Sequence, residues 1–206
     1  MNEQLLGILM IVGGLALASG GVVVLGRRGT ESPAKVESSS IRVPDEGAGA
    51  LTPEEKGKKF EEWVVKRLSR DYFTIKEWRG DKYVDGIYAQ SSTNPDLEIE
   101  FHMRDTRKTF AIECKWRRGY DTGEKPYIVW ASDRQIENYR GFAQSKNQPV
   151  FVIIGVGGEH DDPAEVFVVN LDRLRYSKAT AEYLARFRRT NKAQNLYYDH
   201  KKLELR

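Results

Sequence analysis

A single cysteine, Cys114, rules out an intramolecular disulfide in this chain of 206 residues and suits a reducing compartment. Histidine is nearly as scarce: His102, His160 and His200 are scattered, a spacing that points neither to a zinc site nor to a histidine-dependent nuclease. There is no internal repeat, and the formal net charge is only +3, too small to name a partner by itself. Charge is missing altogether from residues 5–25, LLGILMIVGGLALASGGVVVL. At about 1.5 Å per residue this run is roughly as long as a bilayer core is thick.

Arg27 and Arg28 follow the apolar run at once, whereas the only charged side chain before it is Glu3. Positive residues stay on the cytoplasmic side. Residues 1–28 are therefore expected to be a single-pass anchor in the cell membrane with its flanks, the N-terminus outside and the C-terminal domain cytoplasmic. A cleaved signal peptide is the rival. Ala16-Leu17-Ala18 half meets its cleavage requirement, but Met1-Asn2-Glu3-Gln4 lacks the basic start. The glycines of the run permit close helix pairing but fix no oligomeric state. Residues 29–50 hold Ser, Gly, Pro and charge with almost no large apolar residue, which is linker composition. Residues 51–206 are the right size for one domain with a real core.

Within that domain, Asn94–Phe101 and Thr109–Trp116 alternate apolar and polar residues with period two, as half-buried strands do. The short polar stretch His102–Lys108 between them makes an antiparallel hairpin the economical reading. A turn centred near Asp105 and Thr106 sets Phe101 opposite Phe110, Ile99 opposite Ile112 and Leu97 opposite Cys114, all facing the core. Cys114 then reads as a buried structural thiol. The other face brings Asp96 opposite Lys115 and Glu98 opposite Glu113. Opposed carboxylates repel unless a divalent cation reverses the sign of the interaction. From the alternation alone, a solvated face with an Asp96–Lys115 ion pair is an equal alternative.

Pro-Asp followed by Glu-x-Lys on the next apolar strand, here Pro95-Asp96 and Glu113-Cys114-Lys115, resembles the restriction-endonuclease-like superfamily, the PD-(D/E)xK nucleases. The resemblance implies that Asp96 and Glu113 hold Mg²⁺, with Mn²⁺ as a substitute, that the backbone carbonyl of Cys114 joins them, and that Lys115 serves the attacking water. It also implies an α/β fold, an α-β-β-β-α-β core with a mixed central sheet flanked by helices, spanning roughly Thr52 to Gly158.

Two helices agree. Thr52-Pro53-Glu54-Glu55 is a helix start, and Phe60, Trp63, Val64 and Leu68 follow at helical spacing. Glu61 on this helix matches a glutamate that members carry near the metal; without the resemblance it is an ordinary solvated glutamate. A second helix is expected to start at Ser132 or Asp133. Its Gln135 and Tyr139 share a face and resemble a pair that borders DNA in exonuclease-like branches, though Tyr139 also suits helix packing. Val150–Val156 reads as a buried central strand, Glu165–Leu171 as another strand, and Ala179–Arg189 as a helix. Lys82–Ala89 also looks strand-like, and its Asp85 is the reserve for the acidic role, although Asp85-Gly86 reads equally as a turn.

Arg117, Arg118 and Lys125 come soon after the lysine strand, interleaved with Trp116, Tyr120, Tyr127 and Trp130. The C-terminal segment is more basic still, from Arg173 through Arg186, Arg188 and Arg189 to Lys202 and Arg206. Such groups contact phosphates and such rings stack on bases; solvated helix faces or anionic lipid are the competing readings. The expected function is a membrane-anchored, metal-dependent nuclease hydrolysing DNA phosphodiester bonds, endonuclease ahead of exonuclease, with RNA left open. Gln135, Tyr139, Arg117 and Arg118 are its candidate nucleic-acid contacts. The alternatives are a catalytically inactive module that binds nucleic acid or a protein at the membrane, and a scaffold whose basic tail grips lipid.

Overall fold

Thr52 starts the first helix with a full capping box: its side chain accepts from the Glu55 amide, and the Glu55 carboxylate accepts from the Thr52 amide at 2.7 Å. Pro53 occupies the first turn, and α1 runs Pro53–Val65. This computed structural model describes residues 51–79, 83–84, 87–88 and 93–206. The expected anchor and linker, residues 1–50, and the reserve acid Asp85 lie outside the described residues. Among the described residues no helix is long and apolar enough to cross a membrane.

After α1 come β1 (Phe73–Trp78), the short pair β2 (Tyr83–Val84) and β3 (Ile87–Tyr88), β4 (Leu97–Met103), β5 (Thr106–Arg117) and β6 (Tyr127–Val129). Helix α2 (Asp133–Lys146), β7 (Val150–Glu159) and β8 (Asp162–Asn170) complete the central layers. Five strands form one mixed sheet in the order β1-β4-β5-β7-β8, parallel only between β5 and β7. That parallel step is the one that α2 bridges, as a crossover connection requires. The expected α-β-β-β-α-β order is thus present. Its first strand is Phe73–Trp78, a stretch not singled out in the sequence, while β2 and β3 pair with each other outside the main sheet.

Each face of the sheet has its own core. Phe60, Trp63, Val64 and Leu68 lay α1 against Leu97, Ile99, Phe110 and Ile112, and Tyr198 and Leu205 of the C-terminal segment close the same side. On the other face, Ile136, Tyr139 and Phe142 of α2 pack on Val150, Val152 and Ile154 of β7. Val150–Val156 is buried on both sides of the sheet, as its unbroken apolar run predicts. Ser132 and Gln135 form the capping box that starts α2, and Asn147 ends it with a left-handed φ of 48°.

Two expectations need correction. The hairpin register is Leu97↔Ile112, Ile99↔Phe110 and Met103↔Thr106. Its turn is the two-residue Arg104-Asp105, with Arg104 at a φ of 52°. In an antiparallel pair the partner numbers sum to twice the turn centre. A turn one residue earlier therefore shifts every pairing by two and leaves each side chain on its expected face. The second correction concerns Ala179–Arg189. There β9 (Lys178–Thr180) pairs with β6, Thr180 caps the four-residue α3 (Ala181–Leu184), and one 3-10 turn follows. Arg188 then turns extended and bridges Phe167, and the Arg189 amide donates to the Val166 carbonyl on the edge of β8. Pairing with the sheet edge outcompetes helix propensity over the last two residues.

Candidate active site

The two-residue shift changes who meets whom. Continued one step beyond Leu97↔Ile112, the observed register brings Asp96 beside Glu113 instead of Lys115, and it sets Glu98 opposite Ala111 instead of Glu113. Asp96 and Glu113 are 2% and 1% exposed, so neither belongs to a solvated outer face. β4 begins only at Leu97, which leaves the Cys114 amide without a strand partner. The Asp96 carboxylate takes that place, accepting from Cys114 N at 2.8 Å. The Cys114 side chain lies in the α1-side core, the structural role expected of it.

Glu113 points to the opposite face, toward α2. Tyr139 is 1% exposed and donates its hydroxyl to Glu113 Oε1 at 2.6 Å, and Lys115, two residues along the same face, forms an ion pair with that oxygen. Glu113 Oε2 is buried with no hydrogen-bond partner among the described residues. Burial first, and the Asp96 charge second, push the Glu113 carboxyl above the ordinary carboxylate range; Lys115 and Tyr139 pull the other way. The Tyr139 phenol is pushed far up by burial and by Glu113, so it stays a donor. Burial also raises the Cys114 thiol, helped by Asp96, Glu61 and Glu113.

Glu61 is buried and not a solvated helix residue, and its Oε2 accepts from the Trp78 indole at 2.9 Å. The loop carrying Asp96 is pinned by a residue that sequence reasoning missed. Arg79 donates from Nη1 to the Pro95 carbonyl at 2.8 Å, and its amide donates to the Asp96 carbonyl at 2.8 Å. Its other arm pairs with Glu77 and, at 3.1 Å, with Glu98. Gln148, also buried, donates to Glu98 at 3.3 Å. Glu98 therefore anchors the arginine that holds the Asp96 loop. Nothing in the local pattern around Arg79 signals this, because its partners on the Asp96 loop and β4 lie 16 to 19 positions away.

The four candidate nucleic-acid contacts separate. Gln135 Oε1 accepts from the Ser132 amide at 3.0 Å and serves the helix cap. Tyr139 lies inside, against Glu113. Arg117 is committed to backbone carbonyls of Trp116, Val129 and Trp130 at 2.6–2.9 Å, which ties β5 to β6. Only Arg118 is exposed. Trp130 is fully buried with its indole donating to the Tyr176 carbonyl, so it offers no stacking face.

No three His, Cys, Asp or Glu side chains gather as a metal cluster among the described residues. Two buried carboxylates, one with an unpartnered oxygen, nevertheless suit a small hard cation, since Mg²⁺ is typically held by one or two carboxylates and keeps several waters. The donor set fits.

No protein-family model matches this chain, and no curated protein does. Among solved structures, Hjc of Archaeoglobus fulgidus, a Holliday junction resolvase from an archaeal hyperthermophile, matches with a TM-score of 0.43 at 17% identity, covering 63% of this chain and 93% of that one. A similarity of that degree leaves the chemistry to be judged from the side chains themselves.

Proposed function

We propose that residues 51–206 form a restriction-endonuclease-like, metal-dependent nuclease that hydrolyses DNA phosphodiester bonds and is held at the membrane by residues 5–25. The observation that carries this reading is the Glu113 Oε2 atom, buried without a partner beside a second buried carboxylate, Asp96. Leaving a buried acceptor unsatisfied costs about 1–3 kcal/mol or more, which a fold tolerates where the group has work to do. Asp96 and Glu113 are the residues that hold Mg²⁺ or Mn²⁺ in this reading, with the Cys114 carbonyl available beside them. The bound cation supplies charge at the phosphoryl oxygens and acidifies water.

Lys115, drawn onto Glu113, orients the attacking water and places positive charge beside the developing charge of the transition state. Tyr139 fixes the Glu113 rotamer and the Cys114 amide fixes Asp96, while Glu61 on α1 is held by the Trp78 indole and is not counted among the ligands. The mode proposed is hydrolysis within a strand.

The test is incubation of the full-length chain, kept in nonionic detergent, with supercoiled plasmid and Mg²⁺ or Mn²⁺. The parent should nick or degrade the plasmid, EDTA should stop it, and Glu113→Ala and Lys115→Ala should each abolish it. Equal cleavage by all three would assign the activity elsewhere. Salt-sensitive DNA retention without cleavage would leave the inactive binding module. For the anchor, carbonate-resistant membrane association should require residues 5–25.

A further inference from the structure

The C-terminal basic residues, scattered in sequence, meet in one place. A groove of ≈ 1150 Å³ runs between α3, residues 186–195, the C-terminal segment and the end of β8. Its cations are Arg173, Arg186, Arg188, Arg189, Lys202 and Arg206, against the acids Asp172 and Glu204. None of the candidate active-site residues lines it. Phe151 of β7 is part of its lining, and the sheet order places β7 between β8 and β5, the strand that carries Glu113.

The positive charge is only partly neutralised. Arg188 pairs with Glu165, and Arg206 approaches Asp199 at 3.6 Å. Among the described residues, neither pair draws on Arg173, Arg186 or Lys202. Arg189 donates from Nη2 to three backbone carbonyls, while its Nε and Nη1 are buried with no partner. Among the described residues no carboxylate pairs with that guanidinium, and its charge, after burial, helps to lower the pKa of Arg67.

Two arginines of the groove lie over aromatic rings that also line it. Arg186 is 5.5 Å from the Tyr183 ring centre, and Arg206 is 5.5 Å from that of Tyr197. Tyr197 is 58% exposed. Cations alone would serve any polyanion. Cations set beside an exposed ring serve one whose flat groups are free to stack. Bases in a duplex are already stacked and paired, and lipid head groups have none.

We propose that this groove binds single-stranded nucleic acid, its exposed arginines and Lys202 on the phosphates and Tyr197 under an unpaired base. Under the nuclease reading, on which only the purpose of the groove rests, it holds an unpaired stretch of substrate while Asp96 and Glu113 act on a phosphodiester elsewhere in the same molecule. The preferred substrate then carries a single-stranded part.

The experiment is fluorescence anisotropy of labelled oligothymidylate and of a duplex of equal length with the full-length chain in nonionic detergent and EDTA, so that no cleavage intervenes. The parent should bind the single strand more tightly than the duplex. Tyr197→Ala should weaken single-strand binding by about tenfold, the loss of one stacked base, and leave duplex binding unchanged. The double variant Arg186→Glu, Lys202→Glu should weaken it further and flatten its salt dependence by about one in logarithmic slope or more. Lys76→Glu, the same charge reversal on the far edge strand β1, should do neither; circular dichroism checks that each variant folds. Equal affinity for both nucleic acids, or single-strand binding that survives Tyr197→Ala and the double variant, would overturn the proposal. So would loss of phosphatidylserine-vesicle binding in the double variant with single-strand binding intact, which would make the groove a lipid site. A chain that behaves as expected here yet cuts neither plasmid nor a single-stranded oligonucleotide in Mg²⁺ or Mn²⁺ would sink the nuclease reading and leave the groove standing.

Discussion

Tyr139 and Glu113 are joined by a 2.6 Å hydrogen bond that connects α2 to the middle of β5, with both side chains almost wholly buried. The carboxylate needs the donor, and the donor fixes which way the carboxylate turns.

Replacing Tyr139 with Phe keeps the ring and removes that donor. Hydrogen bonds to charged groups contribute about 1.5–3 kcal/mol net, so urea denaturation should show a loss in that range with an unchanged slope. A Phe variant as stable as the parent would mean that Lys115 alone satisfies the oxygen.

Glu113 makes stability depend on pH. Its carboxyl is raised in the folded state by burial and by Asp96, so the folded protein holds that proton more firmly than the unfolded chain. The contribution is complete below the ordinary carboxylate value of 4.5 and is lost as pH rises through the raised one. Without divalent cation, Glu113→Gln should therefore match the parent near pH 4 and become increasingly the more stable as pH rises to neutrality. Thermal melts in EDTA across that range would expose the error if the gap stayed constant or reversed.

Divalent cation should offset the same cost. Melting of the parent should rise with millimolar Mg²⁺ or Mn²⁺, by RT ln(1 + [L]/Kd), about 2.7 kcal/mol at a hundredfold excess over Kd. Glu113→Ala should lose the shift. An identical shift in the variant would place the cation elsewhere.

Arg79 acts through Asp96 and should separate binding from turnover. Arg79→Met breaks the hold on the Pro95 carbonyl and leaves Glu98 with Gln148 and, at 4.0 Å, Lys146. Displacing a catalytic group by about 1 Å can cost on the order of a hundredfold in rate. Cleavage should fall by about that much, in kcat, while DNA affinity in EDTA stays the same; a change in affinity alone would count against the positioning role.

Gly155, on β7, tests the packing that backs the site. A Cβ there would lie 2.6 Å from Phe60 Cε2 and 3.1 Å from Pro163 Cβ. Both rings belong to well-packed elements, so Gly155→Ala should destabilise the fold by about 1–3 kcal/mol, read by denaturant midpoint. No loss would mean that α1 shifts freely on the sheet.

What the sequence determined by itself is local. Thr52 with Glu55, and Ser132 with Gln135, start the two helices because a cap needs only residues three apart. Alternation sorted Leu97, Ile99 and Phe101 to one face, and the unbroken run at Val150–Val156 identified a buried strand. Alternation put Asp96, Glu113 and Lys115 on one face, and the resemblance to the PD-(D/E)xK motif made them a group. Tertiary structure decided the pairings within that group. A turn one residue earlier than expected moved the hairpin by two, exchanging Lys115 for Glu113 as the neighbour of Asp96. It also drew Arg79, Glu98 and Gln148 into support of the Asp96 loop, turned Tyr139 inward and committed Arg117 to β6. Hydrogen-bond partners separated by tens of residues depend on how whole elements dock, and no local periodicity encodes that distance.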